Sequence, residues 1–326
     1  MVDYKSMYFD LFNSVTDAIN ILQEAQFNGE KEYLLSVEEV KKAAEELNVA
    51  VAGSELVGLV PLDAMLMAAD FYIEKENLML VDEEQKIRLV IERLGLNSIS
   101  HFDPKKRIIE YMLEEENNEP LASLTLRGFI EEVANRSSAP GGGSASAAIA
   151  AIGVGLGCMV GQLTYGIRKF ENIDKEIRKL IPPLYDSVQK LIPMVDADTN
   201  AFNDYMEAMR LPKNTDAEKA IRDEAMQNGL KKAIEIPLAT MQYGDDAWEA
   251  MIQVAEFGNI ASKSDVEVGA RALEMGIWGA YKNVLINLVD IKDKEFIKQT
   301  TDKATVIKDR AATKMNAVLD ILDKRG

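Results

Sequence analysis

The chain has a single cysteine and a single histidine in 326 residues. One cysteine, Cys158, excludes any disulfide within the chain, and with only His101 beside it no zinc site of the usual cysteine and histidine kind can be built. Basic residues are scarce too: 37 Lys plus Arg stand against 54 Asp plus Glu, a formal charge of −17. General nucleic-acid binding needs cations against phosphate, so that class is set aside. A membrane span wants about 20 strongly apolar residues, and the nearest approach, Ala145 to Val160, is short, mostly alanine and glycine, with Ser146 inside it. The opening MVDYKSMYFDLF has no basic stretch followed by an apolar core. The expectation is a chain without a signal peptide, in the reduced cytoplasm.

What is present is 47% hydrophobic and 28% charged, enough for two ordinary domains with real cores. VEEVKKAAEEL (37–47) predicts an amphipathic helix, and the β-branched, glycine-punctuated VAVAGSELVGLVP (49–61) a strand and turn. Helices are predicted from Pro61, with the proline in the first turn, and over 82–96, acidic at its start and closed near Gly95. Residues 1–113 therefore read as an α+β domain, and the acidic run to Pro120 (114–120) as a linker. Residues 121–326 read as an all-α domain of long packed helices, broken at IPPLY, RLPKNT, EIPLA and EFGNIASKSD.

PGGGSASAAIAAIGVGLG (140–157) opens that helical domain. Gly141, Gly142 and Gly143 suit close approach to backbone, and Ser144 suits an N-cap, so free N–H groups would face an anion. A structural tight turn explains the same residues. In VDADTNAFNDY, Asp196, Asn200 and Asn203 share one helical face, while Asp198, Phe202 and Tyr205 neighbour one another on another. In GNIASKSDVEVGARALEMGIWGAYKNVLINL, Ser264 or Asp265 can cap a helix beginning near Val266. Asn283 and Asn287 share one face among apolar residues, either as an internal amide network or as an edge that binds a heterocycle. His101 reads as a surface or structural residue, and Cys158 as buried packing.

In this order, PGGGSASAAIAAIGVGLGCMVGQLTYG, DADTNAF with RLPKNT, and GNIASKSD through KNVLINL resemble the cyclodeaminase domain of the formiminotransferase-cyclodeaminase family. AGSELVGLVPLDAMLMAADFYIEKENL and RLGLNSISHFDPKKRIIEYML are similar to the C-terminal subdomain of its transferase half, with MYFDLFN as an opening strand. The resemblance implies a mainly α protein: an all-α long-helix domain preceded by a small α+β, ferredoxin-like remnant. It implies conversion of 5-formiminotetrahydrofolate to 5,10-methenyltetrahydrofolate and ammonia, in histidine degradation and one-carbon metabolism. Transferase activity is expected to be absent from this chain alone, since His101 does not fall in the transferase motif.

The implied chemistry is ring closure plus proton movement, with no cofactor beyond tetrahydrofolate, with or without a polyglutamate tail. Asp198 and Asp265 are the implied proton carriers. Gly141, Gly142, Gly143, Ser144, Asn259, Ser264, Asn283 and Asn287 are implied against the folate. Lys213, within the family's LPK motif, is implied at its carboxylates, with Arg210 and Lys231 suggested by charge alone. Ser262, where some relatives carry cysteine, receives no chemical role. The implied partners are a second copy, in a homodimer or higher homo-oligomer, and a separate formiminotransferase; nucleic acid and a membrane span are not expected. A methenyltetrahydrofolate cyclohydrolase of the same fold and a non-catalytic folate-binding scaffold are the rival readings.

Overall fold

The structure, a computed structural model, describes residues 56, 58–113 and 119–325. The chain divides into two compact units, Met1–Glu116 and Asn117–Gly326.

In the first unit the described helices are α1 (Leu62–Lys75), α2 (Glu83–Leu94) and the short α3 (Pro104–Arg107) and α4 (Ile109–Leu113). Asp82 begins α2 by accepting the Gln85 N–H at 2.9 Å, and Gly95, at φ +66°, ends it in the left-handed conformation glycine tolerates. Pro61 is the N-cap of α1, one residue before the first turn where the sequence placed it. Met65, Ala69 and Tyr72 of α1 share a core with Ile87, Val90 and Leu94 of α2. Of the strand expected over 49–61, the described part shows one parallel bridge. Val60 N–H donates to Arg107 O (2.9 Å) and Ile109 N–H to Val60 O (3.0 Å). MYFDLFN, the 37–47 helix, most of the 49–61 strand and residues 114–118 of the expected linker lie outside the described residues. His101 is exposed.

The second unit contains α5 (Leu126–Ala134), α6 (Gly142–Gln162), α7 (Asp174–Leu191), α8 (Met194–Arg210), α9 (Asp216–Asp246), α10 (Trp248–Phe257), α11 (Lys263–Leu288) and α12 (Lys294–Arg325). Its core helix is α6. By length and composition α6 could cross a membrane, but 61% of its most apolar window is buried within this unit. Small residues let α11 lie almost backbone to backbone against it, antiparallel. A Cβ on Gly276 would sit 2.6 Å from Ala150 Cβ, and one on Gly153 would sit 2.5 Å from Leu273 N. Cys158 is buried on this helix, and desolvation pushes its thiol up.

Two expected breaks are helical. Pro182 and Pro183 lie inside α7, on its solvent side, with Ile181 and Leu184 fully buried behind them. The carbonyls these prolines leave without donors can therefore be hydrated. Pro237 lies inside α9 and is buried. It cannot donate to the carbonyl of Ala233, and Asn287 Nδ2 of α11 donates there instead at 2.9 Å. RLPKNT does break the chain. Thr215 Oγ1 accepts from Glu218 N (3.2 Å) while Glu218 accepts from Thr215 N (3.0 Å), a reciprocal cap that starts α9. Gly258 and a short 3₁₀ turn, Ile260–Ser262, separate α10 from α11.

Candidate functional site

The glycine loop is itself the first turn of α6. Gly141 is the N-cap, and the helix starts at Gly142, so Ser144 is its third residue and not its cap. The anion at this helix end belongs to the protein. Asp198 of α8 accepts the Ser144 backbone N–H at 2.9 Å and the Ser144 hydroxyl at 3.2 Å, both on Oδ2. A Cβ on Gly143 would collide with that carboxylate, which is why a side chain is excluded there. Ser144 is fully buried, and its hydroxyl also pairs with Thr199 Oγ1 at 3.1 Å.

Among the described residues no hydrogen bond reaches Asp198 Oδ1, and that oxygen is not sealed from solvent. Burial raises the pKa of this carboxyl, and the two Ser144 donors lower it by less. The group is thus fixed through one oxygen, open through the other, and readier than an ordinary aspartate to hold a proton.

Asn283 of α11 borders the same helix end: its Nδ2 would lie 3.4 Å from a Cβ on Gly142 and donates to Gly279 O at 2.9 Å. Gly141 to Gly143, Ser144, Asp198 and Asn283 therefore converge. Asn287 lies one turn beyond, its Nδ2 donating to Ala233 O of α9, as an internal amide link between helices would. Asp196 is also committed, accepting the N–H groups of Leu121 (2.8 Å) and Ala122 (2.9 Å). Asn200 and Asn203 are exposed.

Four implied residues, Asp265, Asn259, Ser264 and Lys213, are elsewhere, as are Arg210 and Lys231. Because α6 and α11 are antiparallel, the start of α11 meets the far end of α6: Gly269 packs on Leu156, and Asp265 lies one turn further. The sixteen residues from Ser144 to the level of Val160 make roughly 24 Å of helix, so Asp265 does not join Asp198 within one chain. Asn259 stays at that far end, its N–H donating to Thr164 Oγ1 (2.9 Å) and its Oδ1 accepting from Ala261 N (3.1 Å). Ser264 is exposed there. Neither it nor Asp265 is the N-cap of α11, which begins at Lys263 after Ser262. Lys213 and Arg210 are exposed at the C-terminal end of α8, roughly 18 Å of helix from Asp198. Lys231 pairs with Asp293 at 3.0 Å.

Sequence reasoning missed Thr199 and the apolar cavity of about 360 Å³ whose lining residues Val195 and Ala148 stand one helical turn from Asp198 and Ser144, between α6, the C-terminal end of α7, the start of α8 and residues 121–129. Thr199 directly follows Asp198 in DADTN, yet only the fold shows that it meets Ser144.

The family model described as Formiminotransferase-cyclodeaminase matches residues 125–306, and the one described as Formiminotransferase domain matches residues 15–114. Formimidoyltransferase-cyclodeaminase of Dictyostelium discoideum is 55% identical over 290 residues, covering 88% of this chain and 53% of that protein. The Gallus gallus protein of the same name is 48% identical over 289 residues, with the same coverage. The chain thus spans about half the length of these curated relatives. A methenyltetrahydrofolate cyclohydrolase of Methylorubrum extorquens is 33% identical over 175 residues, 54% of this chain and 84% of that protein. The crystal structure of formiminotetrahydrofolate cyclodeaminase from Thermotoga maritima superposes with a TM-score of 0.56 at 26% identity, over 62% of this chain and 97% of that one. The glycine turn and the Asp198 bound to it lie inside the larger matched region, and on these matches the chain belongs to the formiminotransferase-cyclodeaminase family.

Proposed function

We propose that this chain is a formimidoyltetrahydrofolate cyclodeaminase, converting 5-formiminotetrahydrofolate to 5,10-methenyltetrahydrofolate and ammonia. The observation that carries it is the half-open carboxylate of Asp198, held by the first turn of α6. With the formimino group protonated, N10 attacks its carbon and a C–N bond closes the five-membered ring. Asp198 Oδ1 takes the proton from N10 and delivers it to the exocyclic nitrogen. That nitrogen leaves as ammonia, and the positive charge stays on the methenyl product. One carboxylate serves both transfers, because N10 and the leaving nitrogen are bound to the same carbon. Closure is intramolecular, so the helix end and the Asn283 amide contribute mainly by holding the substrate in reacting geometry.

The same reading takes residues 1–113 as an α+β, ferredoxin-like remnant joined by a linker at 114–120, and assigns no transferase step to exposed His101. It takes the working form as a cytoplasmic homodimer or higher homo-oligomer, partnered where needed by a separate formiminotransferase. Met275 and Trp278, three residues apart on α11, are exposed, which supports a second copy on that face. The test is direct. Purified protein given 5-formiminotetrahydrofolate should release ammonia as methenyltetrahydrofolate absorbance rises. Folate binding with neither product would leave the scaffold reading instead. The Methylorubrum relative favours one alternative, a cyclohydrolase in which Asp198 activates water against the methenyl carbon. Faster consumption of methenyltetrahydrofolate than of the formimino compound would select it.

A further inference from the structure

We propose that the apolar cavity beside Asp198 is the subsite for the p-aminobenzoyl ring of the folate, with residues 121–129 as its outer wall. This rests on the cyclodeaminase reading, because it places the ring borne by that substrate's N10.

The cavity, about 360 Å³, is of the size of a small-molecule pocket. Ala148, Ala151 and Ile152 of α6 form one side, Val188, Ile192 and Val195 another, and Leu126 with Phe129 the outside. Every lining residue is apolar. A pterin, edged with donors and acceptors, would find no polar side chain to pair with there, whereas a benzene ring needs none and can pack against Phe129. The ring is bonded directly to N10, so the base that takes the N10 proton must stand beside it. Val195 precedes Asp198 by three residues and Ala148 follows Ser144 by four, so each wall begins about 5 Å along its helix from the carboxylate. The outer wall is anchored equally close: buried Asp196 holds the N–H groups of Leu121 and Ala122.

Direction follows. From Asp198, the cavity lies toward the N-terminal end of α8 and Lys213 beyond its C-terminal end. A ring in the cavity carries the glutamate tail away from Lys213, which removes the tail-binding role that the family motif implies for that lysine.

The experiment measures the binding of two probes to the full chain by calorimetry. One is 5-formyltetrahydrofolate, which has the ring; the other is 5-formyl-6-methyltetrahydropterin, which lacks it. Ala148→Phe, filling the cavity, should raise the Kd of the ring-bearing probe about tenfold or more and leave the pterin within about twofold. Phe129→Ala should shift the same probe in the same direction, and Lys213→Ala should shift neither. Equal losses for both probes in the two cavity variants would overturn the subsite. So would no loss for either, a change of oligomeric state in Ala148→Phe without a change in affinity, or a loss of the ring-bearing probe confined to Lys213→Ala. Ammonia release by the wild type is scored separately. Ring-selective binding without ammonia ends the cyclodeaminase reading and keeps the subsite, while ammonia release undiminished in Ala148→Phe does the reverse.

Discussion

At the scale of single residues, Asp198 carries the most weight. Asp198→Asn keeps an oxygen for the Ser144 donors but removes proton transfer, so turnover should fall about 100-fold or more in the ammonia assay. The sign of its stability effect follows from the raised pKa. The native state binds the proton more tightly than the unfolded chain, so the contribution is full below the unfolded pKa and is lost as pH rises through the folded one. Thermal melts should therefore show Asp198→Asn gaining on the wild type as pH rises from 4 to 7, with no such trend if the carboxyl were ordinary. In the rate profile, kcat/KM should fall with acid at a pH above the usual aspartate range, as the base becomes protonated. Asp265→Asn is the contrast: at roughly 24 Å from Ser144 along the helix pair, it should leave kcat within about fivefold. A loss matching that of Asp198 would mean that Asp265 of another copy enters the site.

At the scale of elements, the bond from Asn287 to the carbonyl opposite Pro237 repairs a helix from outside. Asn287→Ala should cost about 1–2 kcal/mol in denaturant unfolding. In a Pro237→Ala background, where the backbone can donate to Ala233 O, the cost should shrink by about 1 kcal/mol; an unchanged cost would show that the two positions do not communicate. Gly276→Ala drives a methyl into Ala150 and the Ser146 carbonyl, and should destabilise by about 1–3 kcal/mol in the same assay. These elements also show what sequence can reveal. The α2 boundaries were legible because Asp82 and Gly95 act within their own turn. The prolines of IPPLY and EIPLA misled, because their own turns do not decide them: a solvent-facing side of α7 does for one pair, and for Pro237 an amide 54 residues in sequence from the Ala233 carbonyl it bonds. Ser144 misled as a cap for the same reason, its helix end being closed by a carboxylate 54 residues on.

At the scale of the whole chain, the helical character seen in the described residues 121–325 was legible from periodicity, and the order of the motifs from resemblance. Their meeting places were not. Period and order are unchanged whether α11 runs up or down α6, yet that direction sends Asn283 to the glycine turn and Asp265 with Asn259 to the opposite end. The exposed apolar pair Met275 and Trp278, three residues apart on α11, yields the prediction proper to this scale. Light scattering after size exclusion should report a dimer or larger, and Trp278→Glu should shift it toward monomer without lowering the melting temperature of the folded unit. A monomeric wild type would refute the oligomer.

The two oxygens of Asp198 separate statics from chemistry. The inner one belongs to the architecture, closing a helix that would otherwise end on bare donors, and in the proposed mechanism the outer one belongs to the reaction. A proton can arrive and depart outside while the inner grip holds, so the cycle requires no moving part at this position. The same economy limits what can replace it. A longer acid such as glutamate would have to surrender either the grip or the reach, and a neutral stand-in keeps the building and stops the work.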